Sequence, residues 1–125
     1  MFLPSQSGTI ILADDEDGIR LVVSRVLKMK GFEVIECNNA MEALKALQEN
    51  PKIKLLITDM VMPGMNGEQL ITEALKQVPE LKAILMSGYS TQFERHTGDK
   101  ELPFAFISKP FVLADLLTKI QEVLK

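Results

Sequence analysis

Short apolar runs rich in β-branched residues alternate along this chain with longer segments whose apolar residues recur every three to four positions, the rhythm of strands followed by helices. The runs Thr9 to Ala13, Phe32 to Cys37, Ile53 to Thr58, Lys82 to Met86 and Phe104 to Ser108 predict five strands. Most are continuously apolar, as strands covered on both faces are. Between the first two runs, Ile19, Val22, Val23, Val26 and Leu27 form one helical stripe, and Gly31 stands where that helix stops. A second helix opens at Asn39, with Glu42 as its capping-box partner, and carries Ala43, Leu44 and Leu47. A third follows Asn66, with Leu70, Ile71, Ala74 and Leu75 ahead of Pro79. The last sets Val112, Leu113, Leu116, Leu117, Ile120, Val123 and Leu124 on a broad apolar face. The stretch from Tyr89 to Leu102 is polar apart from Tyr89, Phe93 and Leu102, and predicts only a short, loosely packed helix.

Strands separated by helices make a doubly wound, five-stranded parallel sheet, because right-handed crossovers lay successive helices on both of its faces. The class is α/β, in a single domain, since 125 residues suffice for one core and not for two. Met1 to Gly8 read as a tail and residues 9–125 as the domain.

Composition narrows the classes of function. Hydrophobic residues at 46% and charged residues at 25% describe a chain that folds. Fourteen Lys and Arg against seventeen Asp and Glu leave a net charge of −3, so the basic field that binds a phosphate backbone is missing and direct nucleic-acid binding is not expected. No apolar run approaches the roughly 20 residues needed to span a bilayer, and the amino end lacks the order of a secretion signal. A cytoplasmic protein without membrane insertion is expected. One cysteine, Cys37, and one histidine, His96, exclude an internal disulfide and a His-rich metal cluster. Cys37 reads as a small hydrophobe, His96 as a solvated side chain, and Met60, Met62 and Met65 as core and rim.

Ligands of open parallel sheets bind beyond the carboxyl ends of the strands, and reactive groups stand at four of those five ends. Asp14, Asp15 and Glu16 follow the first strand, Asp59 closes the third, Ser87 the fourth, and Lys109 follows the fifth. Each has a bland reading taken alone: helix-end charges, a turn hydroxyl, a solvated lysine. Together they place acids, a hydroxyl and an amine from distant parts of the chain on one rim. Clustered carboxylates resist ionising together unless a cation compensates, and hard oxygen ligands without His or Cys point to Mg²⁺, which is typically shared with a phosphate. Lys109 and Ser87 could hold phosphoryl oxygens while a carboxylate attacks phosphorus. Asp59, on the central strand, is the best placed nucleophile.

Four motifs in this order and spacing carry a specific resemblance: Ile11-Leu12-Ala13-Asp14-Asp15-Glu16, Asp59-Met60-Val61-Met62-Pro63-Gly64-Met65-Asn66-Gly67, Met86-Ser87-Gly88 and Ser108-Lys109-Pro110-Phe111. From about Thr9 to Lys125 the chain resembles the receiver domain of two-component response regulators, the CheY-like fold, whose strand order is 2-1-3-4-5. The resemblance implies Asp59 as the acceptor of a phosphoryl group from a histidine kinase or a histidine phosphotransfer domain. It implies Mg²⁺ held by Asp15 and Asp59, with Asp14 acting through water and the Val61 backbone carbonyl as a further ligand. Ser87 takes the place of the switch hydroxyl, Lys109 that of the phosphate-binding lysine before a cis peptide bond, Phe106 that of the aromatic switch, and Gly67 that of the glycine closing the acceptor loop. Val61 and Tyr89 stand where the rate of autodephosphorylation is tuned, and their bulk predicts a long-lived phosphoryl group. Such a domain phosphorylates and slowly dephosphorylates itself without turning over an outside substrate.

The sequence Ser87-Gly88-Tyr89-Ser90 with its polar sequel is more like receivers fused to hybrid histidine kinases than stand-alone regulators. A weak helix there also compromises a face through which many response regulators dimerise, so a monomer is expected. Three other readings compete. An aspartyl-phosphate phosphatase of the haloacid dehalogenase type carries a second aspartate two residues after the nucleophile, where this chain has Val61. A degenerate receiver serving only as a docking module would not need Asp14, Asp15, Asp59, Ser87 and Lys109 together. Flavodoxin-like cofactor binding lacks its Ser/Thr-rich loop after the first strand.

Overall fold

A computed structural model of the chain describes residues 8–50, 52–88 and 104–124. The elements run β1 (Thr9–Ala13), α1 (Asp17–Met29), β2 (Glu33–Cys37), α2 (Ala40–Glu49), β3 (Leu55–Asp59), α3 (Gly67–Gln77), β4 (Lys82–Ser87), β5 (Ala105–Ser108) and α4 (Leu113–Leu124). The strands form one parallel sheet in the order β2-β1-β3-β4-β5, the order that the resemblance implied. Phe32 and Ile53, expected inside strands, precede the first paired residues of β2 and β3, and Phe104 precedes β5. β4 continues to Ser87 because Ser87 still pairs with Ser108. The expected helix between Tyr89 and Leu102, His96, and the expected tail up to Ser7 lie outside the described residues.

Alternation along each strand sends neighbouring side chains to opposite faces, and both faces are apolar. Ile11, Ala13, Leu56, Ala83 and Leu85 meet α2 and α3 through Ala43, Leu47, Leu70, Ile71 and Ala74. Ile10, Leu12, Leu55, Ile57, Ile84 and Met86 meet α1 and α4 through Val23, Leu27, Leu116 and Ile120. The central strand β3 is therefore buried along its whole length, whereas β2, with Glu33 and Glu36 exposed, reads as an edge.

The helices correct three details. The buried line of α1 keeps Val23 and Leu27 from the expected stripe but adds Ser24, while Ile19 and Val26 are half-buried and Val22 is 51% exposed. Ser24 tolerates burial because its hydroxyl donates to Glu36 Oε2 at 3.1 Å. At the start of α2, Asn39 accepts from the Glu42 N–H as expected, but the Glu42 carboxylate accepts from the N–H of Asn38 rather than that of Asn39, so the box does not close on itself. A complete capping box stands instead at α3, where Asn66 and Gln69 exchange backbone and side-chain hydrogen bonds. Gly31 ends α1 at a φ of 98°, a left-handed turn that glycine adopts without steric cost, and the chain passes directly into β2. At the other end of the fold, Val112 is 61% exposed just ahead of α4.

The loop after β3 is pulled back onto the strand end. The Gly67 N–H donates to the Met60 carbonyl at 2.9 Å, and a Cβ at Gly67 would fall onto the Asp59 carbonyl oxygen, with Leu85 Cδ1 at 2.7 Å on another side. The same Asp59 carbonyl accepts from the Thr58 hydroxyl at 3.0 Å. Glycine is thus required by close approach of backbone to backbone. Gly67→Ala is expected to destabilise the fold by about 2–3 kcal/mol, as forced overpacking of a buried contact does. Thermal unfolding of the variant checks this, and an unchanged midpoint would contradict it.

Candidate functional site

The carboxyl ends of β1, β3, β4 and β5 share one rim of the sheet. Asp14 directly follows β1 and is fully buried. Its backbone is fixed from two directions, the N–H donating to the Cys37 carbonyl at 3.0 Å and the carbonyl accepting from Arg20 Nη1 at 2.6 Å. One carboxylate oxygen, Oδ1, accepts from the Glu16 N–H at 2.9 Å, while Oδ2 has no hydrogen-bond partner among the described residues. Asp59, the last residue of β3, is also buried, at 6% exposure. Asp15 is exposed between them, and carboxylate oxygens of Asp14, Asp15 and Asp59 lie within 4.8 Å of one another.

Lys109 comes to the same place from beyond β5. Its Nζ stands 3.0 Å from Asp59 Oδ1, 3.9 Å from Asp14 Oδ2 and 3.8 Å from Glu16 Oε1. Its backbone N–H donates to the Ser87 carbonyl at 2.7 Å, which ties the loop after β5 to the end of β4, and the Lys109–Pro110 bond is cis, as the resemblance implied. Ser87 itself is buried, one residue beyond Met86, which pairs with Asp59. Phe106, on β5, is half-buried against the cluster that contains Leu85. Val61, two residues past Asp59, is 63% exposed. Tyr89 lies outside the described residues.

Burial decides the electrostatics. It pushes the carboxyls of Asp14 and Asp59 above the ordinary carboxylate range, further than Lys109 and the nearby N–H donors pull them back, and each acid is also raised by an acidic neighbour. Burial pulls the Lys109 ammonium down, but the hydrogen bond to Asp59 and the charges of Asp14, Asp59 and Glu16 outweigh it and hold Lys109 above its usual value. Two carboxylates and one ammonium therefore share a site in which negative charge is in excess and one oxygen lone pair is unmatched. A divalent cation bound through oxygen fits that donor set.

Comparison with known proteins places the arrangement. The response regulator receiver domain family matches residues 10–121. The chain belongs to this family. Receiver domains of two-component systems take a phosphoryl group on an aspartate, and that role fits this fold and site. The sensor kinase CckA of Brucella abortus (strain 2308) is 34% identical over 122 residues, which are 97% of this chain and 13% of the kinase. The response regulator receiver protein CpdR of the same strain is 34% identical over 115 residues, 92% of this chain and 95% of that protein. The crystal structure of the receiver domain from the hybrid histidine kinase CckA matches with a TM-score of 0.80 at 32% identity, covering 94% of this chain and all of that one. A CheY-like receiver domain protein from Methanospirillum hungatei JF-1 matches with a TM-score of 0.77 at 33% identity, covering 94% of this chain and 93% of that one. Of these relatives CpdR is a receiver protein spanned almost whole by the match, whereas the match to CckA covers only a small part of a kinase. No helix among the described residues of this receiver domain is long and apolar enough to cross a membrane.

Glu16, expected among the acids on this rim, faces Lys109 at 3.8 Å. Arg20 was not singled out in the sequence, which gives no sign of its bond to the Asp14 carbonyl. Cys37, by contrast, is buried as expected, and desolvation pushes its thiol up to about 11, which leaves it unreactive.

A carboxyl whose folded-state pKa is raised stabilises the fold fully below the ordinary carboxylate range, and loses that contribution as pH rises through the raised value. Metal-free Asp14→Asn is therefore expected to be more stable than the parent at neutral pH by roughly 1 kcal/mol, or about 4 °C in thermal midpoint. The difference should vanish on acidification past the ordinary carboxylate range. A variant less stable than the parent at neutral pH would contradict this.

Proposed function

We propose that this receiver domain accepts a phosphoryl group on Asp59 from a phosphohistidine of a histidine kinase or a histidine phosphotransfer domain. The observation that carries the reading is the 3.0 Å contact of Lys109 Nζ with Asp59 Oδ1 inside the Asp14, Asp15 and Asp59 group. Receiver domains bind Mg²⁺ in an acidic pocket, and Asp14, Asp15 and Asp59, together with the Val61 backbone carbonyl, would hold it here. When bound, Mg²⁺ supplies positive charge against the phosphoryl oxygens and against the buried acids.

The residues of the chain do the rest. An Asp59 carboxylate oxygen forms the new bond to phosphorus as the bond from phosphorus to the imidazole nitrogen breaks, and the imidazole then takes up a proton. Lys109, relieved of Asp59 as its partner, turns its ammonium to a phosphoryl oxygen, and the Ser87 hydroxyl donates to another. The added charge, roughly −1.5 to −2, is the input to the switch. Movement of Ser87 toward the phosphoryl group opens space at the end of β4, and Phe106 turns into it from its half-buried place on β5, changing the outer surface. Val61 and Tyr89 tune the access of water and favour a slow loss of the phosphoryl group.

A groove of about 610 Å³ beside Lys109, lined by Ile19, Val22, Pro110, Phe111 and Leu113, offers an apolar surface next to the acceptor for the phosphodonor. The domain changes its own covalent state and turns over no outside substrate. It acts as a monomer in the cytoplasm, without contacting nucleic acid or entering a membrane. The phosphatase reading is disfavoured because exposed Val61 supplies no second acid. A docking module without phosphorylation is disfavoured by the burial of two acids around a lysine, which folding alone does not reward.

Incubation with acetyl phosphate and Mg²⁺, followed by intact mass, is expected to show one added phosphoryl group, absent when the metal is chelated and absent in Asp59→Asn. Lys109→Ala should leave Mg²⁺ binding within about threefold while losing the phosphoryl-dependent change in Phe106, read by NMR, which rests on an interaction made only with the phosphoryl group. Uptake persisting in Asp59→Asn would move the acceptor elsewhere.

A further inference from the structure

Arg20 sits one turn into α1 with its side chain only 15% exposed, an uncommon burial for a charged residue away from a ligand. Its guanidinium reaches three ways. Nη1 donates to the Asp14 backbone carbonyl at 2.6 Å, Nη2 donates to Asp17 Oδ1 at 2.7 Å, and Nε lies 3.4 Å from Glu36 Oε1. Glu36 belongs to β2, and its other oxygen accepts from Ser24, so the guanidinium is braced against the edge of the sheet. The far end of this brace is the turn that carries Asp14 and Asp15.

Asp14 accordingly has three restraints, two on its main chain and one on its carboxylate: its N–H on Cys37, its carbonyl on Arg20 and its Oδ1 on the Glu16 N–H. Of these only the contact to Arg20 comes from a side chain. The three leave Oδ2 without a hydrogen bond among the described residues, 3.9 Å from the Lys109 Nζ that also contacts Asp59. We propose that Arg20 is a positioning residue for the cation site: by holding the Asp14 carbonyl it fixes the direction of the Asp14 and Asp15 carboxylates, and so raises Mg²⁺ affinity although it is itself a cation. The inference rests on the reading of the acid group as a Mg²⁺ site.

Charge and positioning act in opposite directions here, which makes the two separable. A nearby positive charge repels Mg²⁺, so a purely electrostatic role predicts that removing Arg20 strengthens binding. A residue that merely staples α1 to β2 predicts no change in affinity of the folded protein. A positioning role predicts loss, on the order of tenfold for Arg20→Ala, as for other groups that orient metal ligands without touching the metal. Arg20→Lys keeps the charge but not the planar fork, and should recover part of the affinity.

The test is calorimetric titration of the full 125-residue chain with MgCl₂, with ¹H–¹⁵N spectra recorded in parallel to confirm folding. Glu36→Gln is the control, since it loosens the brace at β2 while keeping the donor to the Asp14 carbonyl, and its affinity should stay within about twofold of the parent, the spread of a residue that orients no ligand. Affinity in the order parent, Arg20→Lys, Arg20→Ala supports the proposal. Unchanged or tighter binding by Arg20→Ala overturns the role of Arg20 alone. An equal loss in Glu36→Gln and Arg20→Ala overturns it too, because the effect then follows the brace rather than the carbonyl. A parent chain that binds no Mg²⁺ overturns the metal reading and the proposal with it.

Discussion

Two carboxylates taken out of water beside one ammonium impose the constraint on which this domain turns. Asp14 and Asp59 are both buried, burial works against their charge, and Lys109, 3.0 Å from one and 3.9 Å from the other, meets only part of that cost. Replacing such a group with apolar residues would give a more stable fold. The chain keeps it, and what stability loses the site gains: a place with a standing demand for positive charge, ready for a divalent ion and then for a phosphoryl group.

The sheet makes that juxtaposition possible. In a parallel sheet all strands deliver their carboxyl ends to one rim, and the order β2-β1-β3-β4-β5 sets β1 and β3 side by side. The acidic turn after β1 and the acid at the end of β3 are therefore neighbours however far apart they are in sequence. β4 and β5 follow on the other side of β3, and the bond from the Lys109 N–H to the Ser87 carbonyl seats the loop that brings in the amine. Both faces of β3 are packed, which fixes Asp59 to a rigid strand rather than to a loop. Gly67 then folds the following segment back against the Asp59 carbonyl, so the acceptor is held from behind as well.

Most of this was legible in the sequence because it rests on periodicity and on strand ends. Five apolar runs with helical stretches between them forced a parallel sheet, and the reactive residues fell where such a sheet concentrates function. What was not legible depended on partners brought by tertiary packing. The buried line of α1 runs through Ser24 rather than Val22, because Glu36 on another strand satisfies the hydroxyl. The capping box drawn for α2 slipped by one residue, since Glu42 finds the Asn38 N–H, while the complete box at Asn66 and Gln69 uses an amide pair. Nothing in the sequence marks Arg20, because its bond to the Asp14 carbonyl is made only when the turn after β1 folds against α1.

The electrostatic claim can be read at the atoms concerned, by following the side-chain carboxyl ¹³C shifts of Asp14 and Asp59 through an acid titration, first without metal and then with saturating Mg²⁺. Both carboxyls should titrate above the ordinary range, about 3.9 for an aspartate, in the metal-free protein and fall well below it when the ion is present. Ordinary titration of both groups, unmoved by Mg²⁺, would contradict the view that their shared burial creates the site.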